Sequence, residues 1–245
     1  MKIAVIGSGI SGLSSAILLS QDHDITLIES DTRFGGHANT VDVMYDKKSI
    51  PVDTGFIVYN ELNYPNLLSF FKWLNIDTIS SDMSFAVSAR DGDLEYSGSL
   101  KGLFAQKKNY FNLNFYKILK DIIIFFIFGY KYAFQIKENE SLSEYVKRCK
   151  FSDEFVKDHL IPMSSAIWSC PEKEIFNFPA KNLLTFFKNH QLINFIVRPK
   201  WRTVKNGSKQ YVEKVLEKLK LNKKNRLLLN TKIENITLEN NKVKI

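Results

Sequence analysis

Three glycines within six residues, set between a short β-branched run and an apolar helical repeat, constrain this chain more than any other feature. Lys2 to Ile6 reads as a buried parallel strand. Gly7-Ser8-Gly9-Ile10-Ser11-Gly12 follows at once as GxGxxG. Leu13, Ala16, Ile17 and Leu19 then keep apolar groups at helical spacing up to Ser20. Ile25 to Ile28 gives a second strand, ended by Glu29, 22 residues after Gly7.

Strand, turn, helix and strand, closed by an acid at that distance, form the dinucleotide-binding βαβ pattern. Each residue type has a physical reason. Gly7 permits the tight turn, Gly9 lets bare backbone approach a diphosphate, and Gly12 lets the helix pack close to the strand. The helix N-terminus aims unpaired N–H groups and its positive dipole end at the phosphates. The expected cradle is therefore Gly7, Ser8, Gly9, Ile10, Ser11 and Gly12, with Glu29 and Ser30 at the adenosine ribose. The charge of Glu29 repels a 2′-phosphate and so argues against NADP.

The fingerprint alone does not separate FAD from NAD. Arg33-Phe34-Gly35-Gly36-His37 follows the ribose acid closely. The adjacent Gly35 and Gly36 let the chain pass tight against a bulky ligand, and Arg33 is expected to meet a phosphate or ribose.

Further along, Val41 to Tyr45 and Ile50 to Val52 read as strands around Asp46-Lys47-Lys48. Asn66 to Leu74 reads as a helix with Pro65 at its start. Met83 to Ala89 and Leu94 to Tyr96 flank Asp91-Gly92, a hairpin signal. From about Leu100 to His190 the pattern is mainly helical, with Phe111, Phe115, Ile118, Ile122 and Phe125 at helical spacing. Ser141-Leu142-Ser143-Glu144 matches a capping box, and Ser208 is placed to cap a helix running to about Leu219. Arg226 to Leu229, Ile233 to Leu238 and Lys242 to Ile245 are strand-like.

The predicted fold class is α/β: a Rossmann-like FAD-binding domain, incomplete, interrupted by a mainly helical insertion. The expected division is 1–60 for the βαβ part, 61–200 for the helical substrate domain, and 201–245 for the return to the cofactor domain. The last segment stops in what reads as a strand, so the sheet is expected to continue past residue 245.

Of 34 basic residues, six are arginine, and the formal net charge is +8. A solvated lysine-rich surface explains this, as does an anionic partner such as a membrane surface. No nucleic-acid motif accompanies the charge, so no nucleic-acid partner is expected. Cys149 and Cys170 form no CxxC pair, which suits a reducing, cytoplasmic setting, and His23, His37, His159 and His190 give no metal signature. Gly7, Gly9 and Gly12 interrupt the N-terminal apolar stretch too early for a signal peptide. Ile122 to Phe128 is far shorter than the roughly 20 residues needed to span a bilayer.

The glycine fingerprint, Glu29, Arg33-Phe34-Gly35-Gly36 and Val52-Asp53-Thr54-Gly55-Phe56 together resemble the flavin-containing amine oxidase superfamily, which includes monoamine-oxidase-like and phytoene-desaturase-like enzymes. Asp53 to Asn60, Tyr64-Pro65-Asn66-Leu67, Ser81 to Phe85, Ala166 to Ser169 and Arg198 to Val204 resemble a bacterial subgroup of predicted NAD/FAD-binding oxidoreductases. The resemblance implies FAD as cofactor and places Asp53, Thr54, Gly55 and Phe56 beside the flavin ring. It also implies Ile233 as a cofactor contact in the returning segment. Such enzymes continue into a C-terminal portion that completes the FAD domain, which implies a truncated chain here. Some relatives act on unsaturated or cyclopropane-type acyl lipids, so the resemblance extends to a lipid or other small-molecule substrate.

In that reading a substrate C–H next to an amine, alcohol or alkene delivers a hydride to the flavin. No general base is assigned; His37 reads as a loop histidine contacting cofactor or backbone. Trp168 reads as a buried structural residue or as pocket lining. Phe111, Phe115, Phe125, Phe126 and Phe128 read as core, the alternative being an interfacial face with Lys117, Lys120 and Lys131 around it. Ser169, Cys170 and His190 lack a GxSxG elbow, so nucleophilic hydrolysis is rejected. The competing readings are a nicotinamide-dependent dehydrogenase and a non-catalytic fragment with a residual cofactor site.

Overall fold

A computed structural model describes residues 1–133, 136–168, 170–192, 199–239 and 242–244. Ser169, Arg198 and Ile245, each named above, lie outside the described residues, as does the side chain of Lys131. The chain forms two units, Met1–Asp82 with Lys200–Ile245, and Met83–Pro199.

The first unit opens with strand β1 (Lys2–Ile6), helix α1 (Ile10–Leu19) and strand β2 (Asp24–Ile28). β1 runs parallel to β2 from Lys2↔Asp24 to Ile6↔Ile28. The crossover helix buries Leu13, Ala16 and Ile17, the apolar positions expected from its spacing. A hairpin of β3 (Thr40–Tyr45) and β4 (Lys48–Asp53) follows. Its turn residues Asp46 and Lys47 both have left-handed backbone, at φ 47° and 60°, the requirement of a two-residue hairpin loop whose twist matches the strands. Next come β5 (Tyr59–Asn60), α2 (Pro65–Leu74) and β6 (Thr78–Ser81). Proline begins α2 where no N–H is needed, and Asn75 ends it with φ 55°.

The second unit begins with the hairpin β7 (Ala86–Ala89) and β8 (Leu94–Ser97), then α3 (Leu100–Leu103) and a 3₁₀ turn Lys107–Phe111. Helices α4 (Leu113–Ala133), α5 (Leu142–Arg148) and α6 (Asp153–Phe155) follow; α6 runs through a π-turn, Val156–Leu160, into α7 (Ile161–Trp168). α8 (Glu172–Ile175) and α9 (Ala180–Asn189) complete it. Ser141 and Glu144 close the capping box expected from the sequence, each side chain meeting the other's backbone N–H. The core gathers Phe125, Tyr145, Phe155, Leu160, Leu183, Leu184 and Phe187, with a smaller cluster of Val87, Leu94, Tyr96, Phe115 and Ile118. Trp168 is half-buried and packs on Phe178 and Phe186 in this core.

The chain then returns to the first unit with β9 (Trp201–Val204), α10 (Lys209–Leu221), β10 (Arg226–Leu228), β11 (Thr237–Glu239) and β12 (Lys242–Lys244). β10 joins the parallel sheet beside β2, giving the order β1-β2-β10. β9 lies antiparallel between β5 and β6. Tyr211, Val212, Val215 and Leu219 of α10 pack into one core with α1, α2 and β2.

Several expectations need correction. The boundary expected at residue 60 falls inside the first unit, because β6 pairs with β9 and α2 buries Phe71 and Leu74 in the same core as α10. β1 is not a buried strand: its residues alternate between exposed and half-buried, and Ile6 is 51% exposed. Among the described residues only β2 pairs with it. Phe111 and Phe128 are exposed, at 91% and 41%, whereas Phe115 and Phe125 are buried. Phe111 precedes α4 and so falls off the helical phase that the spacing assumed. The strand expected over Ile233 to Leu238 shrinks to Thr237–Glu239, leaving Ile233 in a connecting segment.

Candidate functional site in the first unit

β1 delivers the chain into a turn made by Gly7, at φ 86°, and α1 begins at once with Gly9 as its N-cap. No side chain caps α1, so its first N–H groups face outward unclaimed by a cap. A cavity of about 740 Å³ opens there. Gly7, Gly9, Ile10, Ser11, Gly12, Gly35, His37 and Phe56 line it, all expected from the sequence. Its size is within the range of small-molecule and cofactor sites.

The glycines divide by what surrounds them. A Cβ on Gly12 would stand 1.9 Å from the Gly7 carbonyl oxygen, so Gly12 is required for helix and turn to touch. A Cβ on Gly9 or Gly7 would meet nothing within 4 Å. At Gly9 the bareness therefore serves the open cavity rather than protein packing, whereas Gly7 is also set by its φ of 86°, a backbone that glycine adopts readily. Gly55 is a third kind: its Cβ would lie 2.3 Å from the His37 carbonyl oxygen, which also accepts the Phe56 N–H at 2.8 Å. This close pass carries Phe56 to the cavity.

Ser8 and Glu29 form a latch behind the glycine turn. Glu29 Oε2 accepts the Ser8 N–H at 2.8 Å and the Ser8 hydroxyl at 2.5 Å. Glu29 Oε1 accepts the Asp31 N–H at 3.0 Å and the Ser30 hydroxyl at 3.3 Å. The Ser8 hydroxyl in turn accepts the Gly35 N–H at 3.1 Å. Burial opposes ionisation of Glu29, but the Ser8, Asp31 and Ser30 donors override it and hold the pKa at about 2. The carboxylate is thus charged at neutral pH beside the glycine turn.

Other expected site residues are placed differently. Arg33 bends back onto its own loop, donating to the Gly36 carbonyl at 2.7 Å and the Ala38 carbonyl at 3.3 Å, and does not line the cavity. Gly36 supports that loop against Gly9, 3.0 Å from where its Cβ would be. Asp53 caps α10: its carboxylate accepts the Ser208 N–H and hydroxyl and the Thr40 hydroxyl. Ser208 sits at the cap position but its own side chain caps nothing; the Lys209 N–H goes to Thr40 Oγ1 at 2.9 Å. Thr54 bonds Asn39. Ser8, Glu29, Ser30, Asp53, Thr54, Gly55 and Ile233 are absent from the lining.

The sequence reading missed the far wall. Asn63, Tyr64, Pro65, Asn66 and Leu67 bring the N-terminus of α2 to the cavity, and Tyr211 of α10 closes its floor. Pro65 at the first helical turn was the available signal for the former. Tyr211 is 3% exposed, and burial followed by the Asp53 charge raises its pKa to about 12, so it stays a neutral phenol.

Residues 5–74 match the family described as "NAD(P)-binding Rossmann-like domain". Over 40 residues, 16% of this chain and 8% of the other, the sequence is 50% identical to a 4,4′-diapophytoene desaturase (4,4′-diaponeurosporene-forming) of Staphylococcus aureus (strain bovine RF122 / ET3-1). Among solved structures, an oxidoreductase from Methanosarcina mazei aligns over 99% of this chain and 54% of its own, with TM-score 0.60 and 18% identity. A candidate protoporphyrinogen oxidase from Exiguobacterium sp. 255-15 aligns over 99% and 55%, with TM-score 0.60 and 16% identity. At that identity the likeness is one of fold, and the chain spans about half the length of these structures. The βαβ geometry and the family match make residues 5–74 a NAD(P)-binding Rossmann-like domain, and the solved structures share the fold of the chain.

Proposed function

We propose that the chain is the dinucleotide-binding part of an FAD-dependent oxidoreductase that takes a hydride from an apolar substrate, such as an acyl lipid or an amine. The observation that carries the reading is the open space in front of Gly7 and Gly9 at the uncapped start of α1. A diphosphate fits such a site by charge, hydrogen bonding and shape. Gly9, Ile10 and Ser11 would hold it through backbone. Glu29, ionised and fixed, would accept from the ribose hydroxyls, with the Ser8 or Ser30 hydroxyl yielding its place. The same charge disfavours a 2′-phosphate. Phe56, Tyr64 and Leu67 would exclude water from the rest of the ligand.

When bound, the flavin supplies the redox chemistry. The residues of this chain bind, orient and desolvate. The test is titration of the purified chain with FAD, NAD and NADP, followed by flavin absorbance and fluorescence. One FAD per chain, with NAD weaker and NADP weakest, is the expected order. Tighter binding of NAD than of FAD would assign the site to a nicotinamide dehydrogenase instead.

A further inference from the structure

We infer that α4 and the turn before it form a face that seats the second unit on an anionic membrane surface. The inference is independent of what the cofactor site binds. An ordinary surface helix has one apolar stripe; α4 has two. Phe115, Ile118, Ile122 and Phe125 point into the core. On the opposite side Leu113, Tyr116, Ile123 and Ile127 recur at helical spacing and are exposed by 80%, 44%, 50% and 55%. Phe111, just before the helix, is 91% exposed. A helix apolar on both sides needs a second apolar medium to be at its lowest free energy.

Charge selects the medium. From Leu100 to Ala133 the sequence has six lysines and one acid, Asp121. Asp121 is 2% exposed and accepts the Ser152 N–H and hydroxyl, so it adds no outward acid to this stretch. Lys108 and Lys117 pair with Asp93 and Glu154, and Lys120 lies 3.5 Å from Asp121. Lys101 and Lys107 are exposed and have no ion pair among the described residues. Exposed aromatic and aliphatic groups flanked by unneutralised lysines are the chemistry of an interfacial helix on anionic lipid. The helix lies on the membrane rather than across it: among the described residues no helix is long and apolar enough to span one. Its 21 residues would lay about 30 Å of helix along the surface.

The test is flotation of the purified chain with vesicles of phosphatidylcholine alone and of phosphatidylcholine with phosphatidylglycerol, at low and at physiological salt. The wild type is expected to float with the anionic vesicles only, and less at higher salt. Leu113→Glu with Ile123→Glu changes exposed positions, so folding, checked by circular dichroism, is retained while affinity falls at least about tenfold. Lys101→Glu with Lys107→Glu lowers it by about 25-fold, at about fivefold per lysine. Equal flotation with both vesicle types, or folded variants that float like the wild type, overturns the proposal. So does a stable wild-type dimer that the Leu113→Glu, Ile123→Glu variant converts to monomer, because the face then belongs to a second copy.

Discussion

Gly9 and Gly12, three positions apart, answer to different constraints, and two substitutions separate them. Gly12→Ala drives a methyl into the Gly7 carbonyl, 1.9 Å away, and should cost about 1–3 kcal/mol in urea unfolding. The Cβ of Gly9→Val meets nothing within 4 Å, at an ordinary φ of −64°, so stability should change by no more than about 0.5 kcal/mol. The valine instead occupies the space a diphosphate needs. Glu29 gives a pH signature. Its folded pKa of about 2 lies below the ordinary glutamate value of 4.5, so its stabilising contribution is complete above pH 4.5 and is lost as pH falls toward 2. Glu29→Gln should flatten that part of the stability curve, measured by denaturant midpoint against pH. The glycine spacing and the acid were legible because they reflect local rules of backbone approach. The Ser8 latch was not, since the intervening positions of GxGxxG carry no residue rule; nor was Arg33, which donates to the Gly36 and Ala38 carbonyls of its own loop.

Among the elements, α10 and the π-turn are held by contacts that local sequence does not announce. Asp53 reaches across 155 positions to the Ser208 N–H, so Asp53→Ala should cost about 2 kcal/mol, measured by urea unfolding, and Asp53→Asn less. The Ser208 signal gave the right helix start but the wrong capping side chain. In the π-turn, His159 is 7% exposed; Phe85 and Phe155 pack against its ring, Tyr96 O–H meets Nδ1 at 2.9 Å, and Nε2 has no partner among the described residues. Burial pushes its pKa down to about 4. The folded state thus binds a proton less readily than the unfolded state. Its contribution is complete above pH 6.5 and falls away between pH 6.5 and 4, by about 3 kcal/mol. His159→Phe should remove that slope while leaving stability at pH 8 within about 1.5 kcal/mol. In α4, periodicity identified the helix and its core-facing stripe of Phe115, Ile118, Ile122 and Phe125 but not the exposed second stripe, since spacing does not say which of two apolar stripes the rest of the fold covers.

Across the whole molecule, the β-rich, helical, β-rich order was visible in sequence because strands and helices differ in period and in turn residues. Which strands pair was not. β6 pairs with β9 from the far end of the chain, and β10 enters the sheet beside β2, so α2 and α10 share a core with the βαβ unit. That long-range pairing also supplies Tyr211 to the cavity, a residue without motif context. The two units keep separate cores. Leu184→Ala, inside the core of the second, should therefore destabilise by about 2–5 kcal/mol without altering FAD affinity in folded protein. The central claim is that backbone at the start of α1 grips the diphosphate of FAD, and Gly9→Val tests it most directly. FAD titration of wild type and variant, with thermal unfolding of both, should show matched unfolding temperatures and a loss of affinity of at least about a hundredfold. Equal FAD affinity in the two proteins, or a wild type that takes up no flavin, would contradict it.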